Sequence, residues 1–545
     1  MTDRRPPTVA RGWSPGASSR ARGLVLAAGL LPMLAWPMSA GRLVRPLEAM
    51  AWLAVFAVLM AAAPGRALRA MAYAQCLLLP MTLSWIGTVA STGTGPSVSS
   101  MESLSAGAYG EVVDALGVAL HTRGFQIVGS LTVLATLGGA WLARRNPVPR
   151  SGPAGLLFLL MLMPASATVL EGSALAWVSR AVGSEARVAV PWLFQIEVGK
   201  EALGELIDSR FARTGGAEAP LRAARDARAD FQAEPGLAVL IVGESLRTDA
   251  LIRPERGAAS QALQQRLEQG LGLRLPDVCA GGNGTFVSVP KLLTMTLTPD
   301  PAQAVGRPTV LAIARAAGAQ TAYFNNHEVW VVPESGHDLA RKFSSAYFTS
   351  LDEVAIEALE DFVRSGAHPR RAAILHLYGQ HFHYQERYPP GLFGPEPDGL
   401  TVATLAELRY HRAAEYGTHN LLRVARLLDS VRTPAYAIFT SDHGENLPSD
   451  ATGREYHAGP INGRHDTFVP ALVLWNRAFA DSGRAQRLQP LREAVSPIAQ
   501  RDLARAWLAL MGAPDGLRAD LEPQTWGSLQ VGERAHAVPC AALGP

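Results

Sequence analysis

Five apolar segments in the first third of the chain constrain its fold more than any other feature. Each approaches the ~20 residues that a helix needs to cross about 30 Å of hydrocarbon. Short buried helices of a soluble protein are the alternative, but soluble domains seldom carry five such runs in succession. We therefore predict five transmembrane helices, at Leu24–Ala40, Leu47–Ala63, Leu68–Ala90, Phe125–Leu142 and Ala154–Leu170.

The arginines near these segments predict their orientation, because basic residues collect on the cytoplasmic side of membrane spans. Arginines precede the first segment, separate the second from the third, and separate the fourth from the fifth. The connection from Ser91 to Gly124 is poor in basic residues, whereas Arg42 and Arg45 are exceptions to the pattern. We predict a cytoplasmic N-terminus, with the chain after about residue 172 on the outer face.

The chain thus divides into a transmembrane domain (1–172), a connector (173–235) and an outward domain (236–545). Part of the connector, from Pro191 to about Arg228, is either an amphipathic helix on the membrane surface or a plain linker. A hydrophobic fraction of 48% and a mean hydropathy of +0.09 are high for a purely soluble enzyme. The net charge of +3 gives no indication of a nucleic-acid partner.

The outward domain alternates short apolar runs with helical patterns. Such runs are typical of strands buried on both faces, and the alternation favours a largely parallel sheet covered by helices. The predicted strands are at Gly236–Ser245, Gln320–Asn326, Ala372–His381, Ala435–Glu445 and Val469–Trp475. The predicted helices are at Pro308–Gly318, Ser350–Ser365 and Ala406–Val431.

Polar residues follow three of these strands at the point where each strand ends. They are Glu244, His381, and the pair Asp442 and His443 in the segment "FTSDHGENL". An Asp-His-Gly triplet alone can be a turn, and a lone Glu can cap a helix. Because parallel strands end at one edge of a sheet, we expect the four side chains to converge. Their oxygen and nitrogen ligands suit zinc, or manganese or magnesium if water completes the shell.

A hydroxyl nucleophile is available in the glycine-rich segment "GGNGTFVSVPKLL". Thr285 precedes a helix-like run, where unpaired N–H groups and the helix dipole favour a negatively charged oxygen. Alternatively Thr285 is only the N-cap of that helix, or Ser288 is the cap and Thr285 the reactive residue. Of the three cysteines, Cys76 lies in an apolar run, and a pairing of Cys279 with Cys540 stays open.

The motifs "VGES", "GTFVSVP", "HLYGQHFHYQERYP" and "SDHGEN", in that order, resemble the phosphoethanolamine transferases of Gram-negative envelopes. These are membrane-bound members of the alkaline phosphatase and sulfatase superfamily. The resemblance implies zinc ligands at Glu244, Thr285, Asp442 and His443, with Thr285 also the nucleophile. It implies that His381 contacts substrate or a second metal, and we predict His381 as a catalytic residue together with Thr285.

The chain departs from the family pattern in its other histidines. "HFH" stands where the family has "HGP", so His383 could share or replace the role of His381. Phe468 stands where the family has a histidine before "VP", with His465 three residues earlier. We also predict substrate contacts for Asn326, His383, His457 and His465. Glu445 is predicted to orient the loop or His443 without binding metal.

The resemblance implies transfer of phosphoethanolamine from phosphatidylethanolamine to an envelope glycan such as lipid A or lipopolysaccharide core. We expect a monomer in the bacterial inner membrane, with its catalytic domain in the periplasm. Transfer of phosphoglycerol by the same site, or an inactive membrane protein of the same fold, are the alternatives. A sulfatase activity is disfavoured, because no C/S-x-P-x-R sequence, the source of formylglycine, is present.

Overall fold

A computed structural model describes part of the N-terminal region and most of the outward domain. The described residues are 24–25, 27, 65–80, 82–83, 86–87, 120, 123–145, and 233–543 without 254–256, 297–306, 328–336, 345–349, 367, 451–455, 458–462, 495–496, 514–523 and 527–536. The chain divides into two compact units. The first comprises residues 1–95 and 115–201, and the second comprises residues 96–114 and 202–545.

In the first unit the structure describes two helices, α1 (Gly65–Leu77) and α2 (Arg123–Arg145). Within the described residues one stretch, Phe125–Leu142 in α2, is long and apolar enough to cross a membrane. It coincides with the fourth predicted segment, and α1 overlaps the third. A buried core helix can pass the same length and composition test, and the other three segments lie almost wholly outside the described residues. The five-helix membrane domain therefore stays a prediction, as do the domain boundaries.

The second unit is built on a sheet of seven strands among the described residues. In spatial order they are β2 (Gly272–Arg274), β9 (Ala471–Trp475), β7 (Ala435–Ser441), β1 (Gly236–Gly243), β6 (Arg370–His376), β4 (Gln320–Asn325) and β5 (Leu339–Lys342). From β7 to β5 all neighbours pair in parallel, whereas β9 is antiparallel to β7 and to β2. The expectation of a largely parallel α/β sheet is confirmed.

Helices cover both faces of this sheet because successive side chains of the central strands alternate between two apolar layers. Leu237, Val239 and Ile241 of β1 pack in one cluster, with residues of α6 (Glu353–Ser365) and α7 (Val402–Ser430). The next residues along β1, among them Leu240, pack in the other cluster, with α4 (Thr285–Thr294), α5 (Val310–Ala316) and α11 (Gln500–Leu510). All eight residues of β1 are buried, as its unbroken apolar run predicts.

A second, small sheet lies beside the carboxyl edge of the main one and was not predicted. Its strand β3 (Val278–Cys279) pairs with β10 (Ile498–Ala499) in parallel and with β8 (Phe468–Val469) in antiparallel. Cys279 forms a disulfide with Cys540, so the pairing that the sequence left open is present. The other described elements are α3 (Ala258–Glu268), α8 (Arg464–Thr467), α9 (Arg477–Asp481), α10 (Gln489–Arg492), the hairpin β11 (Gln524–Trp526) and β12 (Ala537–Pro539), and 3-10 turns at Tyr384–Glu386, Arg484–Leu488 and Cys540–Ala542.

Candidate metal and nucleophile site

The carboxyl ends of β1 and β7 bring the predicted acidic residues together. Glu244 follows β1 and Asp442 follows β7, and the Asp442 N–H continues the ladder by donating to Gly243 O at 3.0 Å. The Asp442 carboxylate accepts hydrogen bonds from the backbone N–H of Ser245 (3.2 Å) and of His443 (2.7 Å). Glu244, Asp442 and His443 are fully buried. The backbone therefore holds both loops in register at the bottom of the site.

The turn after β6 packs directly on the backbone of Glu244. Gln380 N donates to Glu244 O at 2.9 Å, and Gly379 has a φ of +47°. A Cβ on Gly379 would lie 2.7 Å from both the N and the O of Glu244, so only glycine allows this approach. Asp352 holds the same turn from the other side, because its carboxylate accepts from Tyr378 N (2.7 Å) and Gly379 N (3.0 Å). This turn carries His381 to the site.

Thr285 is the first residue of α4, and its hydroxyl points at the acidic cluster. The helix is capped by Gly284, so neither Thr285 nor Ser288 is the N-cap that the sequence offered as an alternative. Thr285 Oγ1 donates to Glu244 Oε2 at 3.1 Å and lies 3.3 Å from His443 Nε2. The side chain is buried, with 7% of the residue exposed. A hydroxyl, a carboxylate and an imidazole thus meet at one point.

His443 presents one particular nitrogen to this point. Its Nδ1 lies 2.7 Å from Gly444 O, and since a carbonyl only accepts, Nδ1 carries the proton. Nε2 is therefore the nitrogen that can bind a cation when it loses its proton, and it faces Glu244 Oε1 at 3.1 Å and Asp442 Oδ2 at 3.3 Å. A backbone carbonyl that fixes the tautomer in this way is characteristic of metal-binding histidines.

The electrostatics of the cluster fit a bound cation. Burial and the charge of Asp442 raise the pKa of Glu244 well above its usual 4.5. Burial by itself lowers the pKa of His443, but the charges of Asp442 and Glu244 raise it to about 10. Asp442 Oδ2 is buried and has no hydrogen-bond partner in the described part of the chain. Two buried carboxylates this close repel each other, and a divalent cation among these oxygen and nitrogen donors would remove that cost.

His457 lies closer to the metal cluster than the sequence predicted. Ligand atoms of Glu244, His443 and His457 all lie within 4.8 Å of one another, a spacing that one ion could bridge. The His457 ring centroid is 4.1 Å from that of His443. Glu445, predicted to orient His443 or its loop, contacts His457 further along the chain, with Oε1 3.2 Å from Nδ1, and its orienting role stays a prediction. The reason is the backbone pairing of Asn446 with Tyr456, which folds the loop back on itself.

His381 is buried beside this cluster in a group of aromatic rings. Its ring centroid is 4.7 Å from that of Tyr378 and 6.0 Å from that of His457. His327, which the sequence offered as a residue that could line the cleft but not as a predicted site residue, stacks on His376 at 5.1 Å. His327 Nε2 is also 3.7 Å from Glu244 Oε2. The signal for His327 was available, because it follows the apolar run of β4 as the other site residues follow theirs.

The remaining predicted substrate residues lie in different surroundings. The Asn326 amide donates to Ser350 O and Asp352 Oδ1 and accepts from the Ser344 hydroxyl, so it is part of a buried network. His383 has a φ of +62° at the start of the 3-10 turn and is half-buried. His465 Nδ1 is 2.9 Å from Asp450 Oδ2. A substrate contact stays a prediction for all three.

Asp450 also connects this loop to the chain after β1. The Arg247 guanidinium places one nitrogen 3.0 Å from both oxygens of Asp450 and binds Asp249 with its other side. Leu447 N donates to Asp450 at 2.8 Å. The segment after β1 is therefore joined to the segment after β7 in two ways. Ion pairs join them outside the cluster, and hydrogen bonds of the backbone join them within it.

Comparisons with known proteins support this arrangement at the level of family and fold. A family profile described as Sulfatase matches residues 237–513. No curated protein matches the chain. Among solved structures, the integral membrane protein lipooligosaccharide phosphoethanolamine transferase A (EptA) from Neisseria meningitidis is 18% identical, with 90% of this chain and 95% of that chain covered and a TM-score of 0.63. The C-terminal periplasmic domain of EcEptC from Escherichia coli, in complex with Zn, is 16% identical, with 57% and 94% covered and a TM-score of 0.49. The likeness to EptA shows the fold.

Proposed function

The chain belongs to the sulfatase family, in the alkaline phosphatase superfamily, and from this premise we propose that it is a phosphoethanolamine transferase. The proposed donor is phosphatidylethanolamine, and the proposed acceptor is an envelope glycan such as lipid A or lipopolysaccharide core. The nucleophile would be Thr285, through a covalent phosphothreonine. The family also contains sulfatases, but this chain has a threonine at the helix N-terminus and lacks the C/S-x-P-x-R sequence.

One observation carries the proposal. The Thr285 hydroxyl lies 3.1 Å from a Glu244 carboxylate oxygen and 3.3 Å from His443 Nε2, inside a buried cluster that suits a cation. A threonine with a purely structural role has no need of two charged partners at a helix N-terminus. A nucleophilic threonine needs such partners, because its hydroxyl must lose a proton and its oxygen must be held toward the phosphorus.

The residues that would hold a zinc ion are Glu244, Asp442, His443 and Thr285, and the Glu244, His443 and His457 group is an overlapping set. When bound, zinc would supply positive charge that lowers the pKa of a ligated hydroxyl and neutralises the phosphate. Manganese or magnesium would serve the same purpose, though the histidine favours zinc.

In the first step Thr285 Oγ1 attacks the donor phosphorus and the bond from phosphorus to the glycerol oxygen breaks. The threonine proton leaves through the cluster, and diacylglycerol takes up a proton as it departs. The position of Thr285 at the start of α4 aids this step, because the positive end of the helix dipole favours negative charge.

In the second step a hydroxyl or phosphate of the acceptor attacks the phosphothreonine, and the bond from phosphorus to Thr285 breaks. The acceptor loses a proton when it is a hydroxyl, and Thr285 regains one. An imidazole beside the reacting atoms suits this transfer, and we assign it to His381. Its ring centroid lies 6.0 Å from that of His457, a member of the possible metal group.

The lipid nature of donor and acceptor fits an enzyme carried in a membrane. The apolar stretch Phe125–Leu142 and the fold likeness to an integral membrane transferase support a multi-pass protein of the inner membrane with a periplasmic catalytic domain. We propose the same location for this chain.

The test is turnover of purified full-length protein with donor lipids that differ only in the head group. We expect diacylglycerol release from phosphatidylethanolamine, little from phosphatidylglycerol, and none from phosphatidylcholine. Faster release from phosphatidylglycerol would select the phosphoglycerol transferase instead. Absence of release from every lipid in the presence of zinc would refute both.

A matched pair of variants assigns the reaction to the hydroxyl. Thr285→Ala should reduce release by about 10⁴-fold or more, since the nucleophile is lost. Ser288→Ala removes another buried hydroxyl of the same helix, which has no hydrogen-bond partner among the described residues, and should retain activity. Equal loss in the two variants would mean that helix packing, not nucleophilic attack, explains the effect.

A further inference from the structure

Gln500 is a buried side chain that lies between the two halves of the candidate site. It is the first residue of α11 and follows directly on β10 of the small sheet. Only 2% of the residue is exposed. Through β10 and β3 the small sheet places it next to the glycine-rich loop that leads to Thr285.

The Gln500 amide makes hydrogen bonds to both loops. Its Nε2 donates to Ser441 O at 2.6 Å and to Asp442 O at 3.0 Å, at the end of β7. Its Oε1 accepts from Gly281 N at 3.0 Å, four residues before Thr285. One side chain therefore connects the backbone that carries two predicted metal ligands to the backbone that carries the predicted nucleophile.

The same glycine is held on its other side by Lys291, whose Nζ donates to Gly281 O at 2.9 Å. Lys291 lies one and a half turns further along α4, the helix that begins with Thr285. Thus the peptide groups of Gly281 are bound by Gln500 and by the nucleophile's own helix. A Cβ on Gly281 would come within 3.3 Å of the Lys291 side chain, so the loop is also closely packed here.

We propose that Gln500 is a positioning residue that fixes the distance between Thr285 and the Asp442–His443 loop. Its three hydrogen bonds are to backbone atoms and not to the side chains of the cluster, so it acts through the two backbones that it connects. A displacement of ~1 Å between a nucleophile and its partners can cost about 10²-fold in rate. The consequence for catalysis rests on the proposed function, whereas the coupling of the two loops does not.

The test replaces Gln500 with methionine, which has a similar length but makes none of the three hydrogen bonds. The matched control is Asn476→Leu at the opposite end of β7. The Asn476 amide is equally buried and binds Ala435 N, Leu428 O, Val431 O and Thr433 O. Both variants remove a buried amide next to the same strand, but only Gln500→Met does so at the site.

The first readout is amide hydrogen exchange of the full-length protein, measured by mass spectrometry. We expect exchange to speed up by about 10-fold or more at residues 281–285 in Gln500→Met, because the hydrogen bond that closes this loop is lost. Asn476→Leu should leave these amides unchanged. Unchanged exchange at 281–285 in Gln500→Met overturns the inference, and this result does not depend on what reaction the enzyme catalyses.

The second readout is the division of the effect between kcat and KM. A misplaced nucleophile lowers kcat by about 10²-fold with KM nearly constant, while a globally loosened fold does not act in this selective way. Gln500→Asn, which keeps the amide but is one methylene shorter, should lie between wild type and methionine in both readouts. Full activity in Gln500→Met, or the same kcat loss in Asn476→Leu, contradicts the proposal.

Discussion

Replacement of Asp450 with asparagine tests how the loop after the Asp-His pair is held. The Asp450 side chain is 11% exposed and that of Arg247 is 9% exposed, so their ion pair is largely shielded from water. Asp450 also accepts from Leu447 N and lies 2.9 Å from His465 Nδ1. Asparagine keeps the shape of the side chain but removes its charge.

The expected size of the effect follows from the acidity of this carboxyl group. Burial by itself raises the pKa of Asp450, but hydrogen bonds from His465 and Leu447 and the charge of Arg247 lower it from 3.8 to about 2. A tenfold change in acid dissociation corresponds to about 1.4 kcal/mol, so the charged form contributes about 2 kcal/mol to the free energy of unfolding. Because this pKa is lowered in the folded state, the contribution is complete well above pH 3.8 and declines as pH falls toward 2.

Thermal unfolding of the full-length protein measures this contribution. For a unit of ~300 residues, 2 kcal/mol corresponds to roughly 3 °C in Tm. We expect Asp450→Asn to unfold about 3 °C below wild type at pH 7, and the gap to shrink to about half at pH 3. The control is Asp429→Asn, which breaks a comparable bidentate pair with Arg266 at a carboxylate that is 43% exposed.

An exposed pair of this kind contributes less than about 1 kcal/mol, so Asp429→Asn should shift Tm by less than about 1.5 °C. If Asp450→Asn is no less stable than Asp429→Asn, the ion pair with Arg247 does not hold the loop. If its Tm deficit stays constant from pH 7 to pH 3, the charge of Asp450 is not the cause.

Three further predictions concern the site and its frame. Reduction of the Cys279–Cys540 disulfide should lower the free energy of unfolding by about 2–5 kcal/mol, because the bond joins residues 261 apart and so restricts a long loop of the unfolded chain. Equal Tm values with and without reductant would contradict this prediction. Gly444→Ala should abolish zinc binding in metal analysis, since a Cβ there would overlap the carbonyl oxygen of His465, and normal zinc content would show that the loop can move aside. His457→Gln should weaken zinc affinity by about 10-fold or more while His465→Gln leaves it unchanged, and the reverse order in a zinc titration would reassign the two histidines.

The central strands could be predicted from the sequence because burial on both faces leaves a local signal. The apolar runs that end at Gly243, His376 and Ser441 each became a parallel strand, and Glu244 and Asp442 directly follow two of them, whereas β6 ends five residues before His381 and a turn carries that histidine to the same edge. Because Glu244 and the Asp-His pair both follow strands that end at this edge, the strand pattern alone predicts that their side chains lie close together. Thr285 was found through its glycine-rich loop.

The direction of β9 has a topological cause that an apolar run does not reveal. Between β7 and β9 the described residues include α8 and β8 but no crossover helix, and backbone hydrogen bonds of Gly444 and Glu445 to Asp466 O and His465 O hold α8 at the carboxyl edge of the sheet. A strand that starts at that edge must run back toward the other, so β9 is antiparallel.

The parts that the sequence did not predict depend on contacts between distant segments. Strands β3, β8 and β10 have two residues each and no periodicity, and they exist only because they pair. The hydrogen bonds of Gln500 and the contact of Glu445 with His457 have the same origin, since a single glutamine or glutamate has no sequence pattern that identifies its partner. The hydrogen bond from Gly281 to Gln500 joins residues that are 219 positions apart, and a local sequence pattern cannot predict such a bond.

The central claim is that Thr285 is a nucleophile at a metal site formed with Glu244, Asp442 and His443. It is tested most directly by peptide mass spectrometry of the zinc-loaded full-length protein after incubation with phosphatidylethanolamine and no acceptor. The account predicts phosphoethanolamine covalently bound to Thr285, absent in Thr285→Ala and lost when an acceptor is added. An adduct on another residue, or release of diacylglycerol with Thr285 unmodified at every time point, would contradict it.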